Sequence, residues 1–185
     1  MSDTTDDLIH RLATWAAAAA VERGRDLRSP ATAGQIASAE SRLGFALHPL
    51  LVRLYSEVAD GGFGPDGWRL FPIDELQGGH RPEPGETRFW PERVVAVMGV
   101  GCGMVSAVDC SDASGQVLLM DPNSFHSNEP EAWSLDARSL AEWLEAWLDG
   151  TSWLVEQDAE IDDIAWPVAW TEAAVRLGVG TGAKH

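Results

Sequence analysis

The sequence predicts an α+β domain in which an antiparallel-dominated sheet packs with helices. Three observations carry that prediction. Apolar stripes of helical period dominate the chain up to Val58. Three short strand-like runs then follow at residues 94–100, 104–110 and 116–121, with only short glycine-bearing connections between them. Such connections suit hairpins and are too short for parallel crossovers. Finally, Leu140, Trp143, Leu144, Trp147 and Leu148 make a thick stripe on one helix, stopped by Gly150, that would cover the sheet.

Each element has a local reason. Residues 5–23 read as a helix, with Thr5 as cap, acids in the first turn and Leu8, Leu12, Trp15 and Ala19 on one face. Gly24 ends it, and residues 25–31 read as a linker. Thr32 with Gln35 forms a capping-box pattern for a helix through Leu43. There Glu40 is either an edge carboxylate or a buried capping partner. Pro49 opens a third helix, with Leu54, Tyr55 and Val58 facing inward. Gly61, Gly62, Gly64 and Gly67 then demand tight turns, and Gly62 is expected to tolerate a β-branched residue badly. Residues 68–73 read as strand-like, residues 74–76 as one helical turn, and residues 77–92 as a long loop. After the hairpins, Ser139 with Glu142 caps the covering helix, and Trp166-Pro167 starts a last helix through Leu177. Residues 1–31 are thus a helical arm and linker, 32–150 the main domain, and 151–185 an acidic extension with a disordered end.

Composition narrows the function. Twenty-nine acids against thirteen bases give a net charge of −16. Such a field repels nucleic-acid phosphates and anionic membranes and speeds association with a basic partner. The N-terminus is acidic where a secretory signal would be basic, and no apolar run is long enough to span a bilayer. A cytoplasmic location is expected. Cys102 and Cys110 lack redox-motif or zinc spacing, the five histidines lack ligand spacing, and no Gly-x-Ser-x-Gly elbow occurs. The glycines of 99–103 and 178–182 do not precede helices, so they read as turns. No cofactor or metal is expected.

A binding module is therefore the first reading. Its partner-binding residues are placed at the acidic run Glu156, Asp158, Glu160, Asp162 and Asp163, with Trp153 and Trp90 as anchors. The competing readings are a regulatory interaction scaffold and a small hydrolase. The hydrolase would use Asp109 and Asp121 as paired carboxylates with a loop histidine, His80 or His126.

The order of motifs resembles the SUKH superfamily. The helix with Ile36, Glu40 and Leu43-Gly44 matches its "Ile, then Glu, then Leu-Gly" pattern. Leu47-His48-Pro49 with Leu54-Tyr55 follows, then Asp60-Gly61-Gly62 with Gly64-Pro65, the Gly101-Cys102-Gly103 hairpin through Val108-Asp109, and Gly115-Gln116-Val117. His48 replaces a commoner small residue. The resemblance spans roughly residues 32–150. It implies a non-catalytic protein-binding domain. Its bacterial members are immunity proteins that neutralise toxins, many of them nucleases or deaminases. A basic toxin domain is the partner this implies, with no transferable catalytic residues.

Overall fold

Helix starts and stops in this chain are written in caps, and the computed structural model, which describes residues 2–79, 89–124, 129–155 and 166–179, places them accordingly. Helix α1 (Ser2–Glu22) begins earlier than Thr5 and ends before Gly24, which takes a left-handed φ of +59°. The Thr32 hydroxyl accepts from the Gln35 amide while the Gln35 side chain accepts from the Thr32 amide, so α2 (Ala33–Leu43) opens on a complete capping box. Glu40 resolves as a half-buried partner, its Oε1 accepting from the Leu47 amide at 2.9 Å. Pro49 starts α3 (Pro49–Arg53), and the His48 Nδ1 caps it by accepting from the Leu50 amide at 3.3 Å. His48 Nε2 then donates to the Ala113 carbonyl at 3.2 Å, tying the helix start to the turn after the third strand.

Helix α3 runs into a π-helical turn (Leu54–Val58) that the apolar pattern does not distinguish from α-helix. It turns Tyr55 fully inward, where the phenol donates to the Phe71 carbonyl at 2.7 Å. Burial raises this phenol far above its ordinary range. The Asp60 carboxylate accepts from the Ile73 amide at 2.7 Å, so the glycine-rich turn is clamped at both ends. Residues 68–73 form no strand. Leu70 makes one isolated bridge to Met98, flanked by short 3-10 turns at Pro65–Gly67 and Ile73–Glu75.

The sheet is a six-stranded antiparallel meander in which every neighbour is the next strand in the chain. Its strands are β1 (Gln77–Gly78), β2 (Val94–Gly99), β3 (Val105–Asp109), β4 (Val117–Met120), β5 (Trp133–Ala137) and β6 (Val168–Ala169). Strands β1, β5 and β6 are absent from the sequence reading. Its last helix shortens to α5 (Ala173–Leu177), because residues 168–169 pair with β5 instead. In β4, Val117 and Leu119 face one side and Leu118 and Met120 the other, the period of two expected of a strand.

Both faces are covered. The inner face meets α1, α2, α3 and α4 (Leu140–Asp149) in the main core, with Tyr55, Leu70, Val95, Val97, Val108, Val117, Leu140, Trp143 and Trp147 buried together. Leu8, Ile9, Leu12 and Ala16 of α1 belong to this same core, and Arg11 pairs with Glu145 of α4. The outer face carries a second cluster of Val94, Ala107, Leu118, Met120, Ala132 and Trp133, covered by Trp170, Ala173 and Leu177. One ion pair fixes that cover. Asp109 has no exposure, and Arg176 of α5 reaches it with both guanidinium nitrogens while Ser111 donates twice to the same carboxylate.

Two stability predictions follow from these contacts. A Cβ on Gly61 would lie 2.4 Å from the Phe71 carbonyl oxygen, whereas one on Gly62 meets only the Arg28 side chain at 3.7 Å. Both residues are left-handed, at +63° and +79°. Gly62→Ala should therefore cost about 1 kcal/mol from its backbone alone, and Gly61→Ala distinctly more; equal melting temperatures would refute the close approach. Arg176→Ala leaves a buried carboxylate uncompensated and should cost about 3 kcal/mol in urea unfolding. A loss under about 1 kcal/mol would mean that the pair holds nothing.

Candidate functional site

A β-bulge creates the site. Between β4 and β5 the register steps from Val117↔Ala137 to Leu118↔Leu135, so Asp136 is the extra residue on β5. Its carboxylate accepts from two indoles: Trp143 Nε1 of α4 to Oδ2 at 2.9 Å, and Trp153 Nε1 to Oδ1 at 2.8 Å. Trp143 is presented by the buried stripe of α4, which starts at Ser139 with its hydroxyl accepting from the Glu142 amide. Gly150 closes that helix in a left-handed conformation, and Trp153 follows within the next turn of chain.

Trp153 is half-buried and tilts 30° against Trp166, ring centres 6.4 Å apart. Trp166 itself is 64% exposed, and Val168 of β6 is exposed beside it. Asp136, Trp143, Trp153, Trp166 and Val168 line a cleft of about 330 Å³. Burial pushes the Asp136 carboxyl up to about 6, with the Trp153 and Trp143 hydrogen bonds pulling the other way. Chemically, the cleft offers aromatic side chains around the Asp136 carboxylate, an arrangement for recognition.

The sequence-predicted residues fall in three places. Trp153 lies on this cleft. Trp90 lies in the outer layer, half-buried, its ring edge-to-face on Trp133 at 4.8 Å and its indole donating to the Val94 carbonyl at 2.8 Å. Glu156, Asp158, Glu160, Asp162 and Asp163 lie outside the described residues, as do His80, His126 and the expected disordered end. The carboxylate pair of the hydrolase reading does not form. Strands β3 and β4 are antiparallel, with Val108 opposite Val117 and Val105 opposite Met120, so Asp109 and Asp121 finish at opposite ends of the hairpin. Asp109 is committed to Arg176, and Asp121 accepts from the Asn123 and Ser124 side chains. Cys102 is exposed at the β2–β3 turn, while burial raises the Cys110 thiol to about 11. Among the described residues no group of acids, histidines and cysteines is arranged to hold a metal ion. No helix among them is long and apolar enough to cross a membrane.

Sequence reasoning missed Asp136, Trp166 and Val168 as a group. Trp143 is buried in the main core, as the α4 stripe predicts, and its indole N–H also reaches Asp136 at the cleft. The alternation Trp133-Ser134-Leu135-Asp136-Ala137 was a usable signal for β5. Elsewhere, Arg23, Arg25, Arg28 and Arg69 line a smaller cleft of about 200 Å³ beside Gly62 and Phe63, with Arg28 paired to Asp60 at 3.8 Å.

The family model described as SMI1 / KNR4 family (SUKH-1) matches residues 30–146. No curated protein matches the chain. The matched stretch takes in β1 to β5 and most of α4, including Asp136 and Trp143. Helix α1, Trp153, Trp166, β6 and α5 lie beyond it.

The raised Asp136 carboxyl sets a pH prediction. In the folded protein it holds its proton up to about pH 6, whereas an unfolded aspartate releases it near ~3.9. The folded state therefore binds more protons between those values, and stability from this group falls as pH rises through that window. Compared with Asp136→Asn at each pH, the wild type should lose on the order of 1–2 kcal/mol from pH 4 to pH 7. A difference that stays flat with pH would show an unperturbed carboxylate.

Proposed function

Because this chain belongs to the SMI1/KNR4 family (SUKH-1), we propose that it is a non-catalytic protein-binding domain, an immunity protein that binds and neutralises a basic toxin domain. The observation that carries this reading is the open aromatic cleft, with Trp166 64% exposed against Trp153 at its rim. Large exposed indoles are the side chains that anchor protein partners. They occur here on a chain of net charge −16, which favours a positively charged surface opposite them. A toxin that grips nucleic-acid phosphates presents such a surface. The acids Glu156, Asp158, Glu160, Asp162 and Asp163 flank Trp153 and Trp166 in sequence and supply the steering charge.

Co-expression with the cognate basic toxin domain, once its gene is found, is the direct test. The immunity protein should restore growth and co-elute with the toxin as a stable complex. Replacing the five acids by Asn or Gln should slow association, and Trp153→Ala should speed dissociation. Raising salt should slow wild-type association as well. Failure to rescue or to bind would remove the neutralisation reading; association rates indifferent to salt would remove its electrostatic part.

A further inference from the structure

Two carboxylates that sit inside this protein come with arginines. Asp109, with no exposure, has Arg176, and the largely covered Asp60 has Arg28. Asp136 departs from that pattern. Its two oxygens accept one indole N–H each, and among the described residues no cation pairs with it. Each oxygen keeps a further lone pair for an incoming donor. The bulge that aims it into the cleft is a local departure from regular pairing of the kind that re-aims side chains at functional sites.

We propose that this cleft is the seat for an arginine side chain of a protein partner, the guanidinium stacking on Trp166 and Trp153 and pairing with Asp136. Indole is the strongest aromatic acceptor of a cation, and a planar guanidinium both stacks on a ring and bonds a carboxylate through two N–H groups. A compact ammonium does the second less well and the first poorly. The cleft volume of about 330 Å³ accommodates such a side chain together with its stem. Glu142 adds a second carboxylate to the lining and Arg138 one cation, so the lining is net acidic even before the wider field of the chain is counted. This inference rests on the reading of the partner as basic, and it identifies which basic side chain is taken and where.

The test uses the full chain labelled with nitrogen-15 and an acetylated, amidated Gly-Arg-Gly tripeptide, with the neutral citrulline tripeptide as its isosteric control. The indole N–H signals of Trp143, Trp153 and Trp166 should shift saturably with the arginine peptide, and citrulline should bind at least about tenfold more weakly. Trp166 is exposed, so Trp166→Ala should keep the folded spectrum while weakening arginine binding several-fold. Asp136→Asn should reduce the preference for arginine over citrulline, leaving only the part owed to the stacked indoles. Unmoved indole signals, equal binding of the two peptides, or full binding by the folded Trp166→Ala variant would each overturn the proposal. Toxin rescue in cells is scored separately. Rescue without peptide binding removes the arginine seat alone, and peptide binding without rescue supports the seat while removing neutralisation.

Discussion

The outer half of this protein hangs on a carboxylate that water does not reach. Asp109 ends β3 with no exposure, and without Arg176 it would be a buried, uncompensated charge. Arg176 also donates to the Glu92 carbonyl at 3.0 Å and lies 5.5 Å from the Trp170 ring. One side chain thereby joins α5, the entry to β2 and the aromatic layer over the outer face. With that layer in place, β6 pairs with β5, and the chain leading into β6 sets Trp166 against Trp153. The cleft on Asp136 is thus walled partly by residues that the Asp109–Arg176 pair keeps docked.

This arrangement also divides the molecule by origin. The family match ends inside α4, so most of the inner core and the Asp136 bulge lie within the matched stretch. Trp153 and Trp166 lie beyond it. The matched stretch supplies the carboxylate floor, and the segment beyond it supplies the aromatic rim. Helix α1 behaves similarly on the inner side: it precedes the matched stretch, yet its apolar face is part of the main core.

Features written in local chemistry were legible in the sequence. The Thr32–Gln35 capping box, Pro49 at the start of α3, and Ser139 before α4 depend on residues within a turn of one another, and all appear. The three central strands were legible because turn residues bracket them. Strands β5 and β6 were not, since β5 follows a 3-10 turn without a glycine break and the two-residue β6 exists only by pairing with it. The π-turn at Leu54–Val58 keeps the same apolar spacing as an α-helix over one turn, so composition does not separate them.

The site shows the same division. Trp153 stood out as an aromatic residue in an irregular segment, but its partner Asp136 gave no signal, because a bulge moves a side chain without changing composition. Asp109 and Asp121 looked paired only while strand direction was ignored; antiparallel pairing sends consecutive strand ends apart. Trp90 shows that a tryptophan in an irregular segment also finds packing, its ring set edge-to-face on Trp133.

The sequential strand order has one further consequence, for chain entropy. The β2–β3 and β3–β4 hairpins close short loops, and loop-closure cost grows only as the logarithm of loop length. Two of the widest closures involve the chain ends: Arg11 meets Glu145 across 134 residues, and Arg176 meets Asp109 across 67. The central sheet is therefore a locally assembled object, and the two terminal helices act as clasps that close around it from opposite ends of the chain.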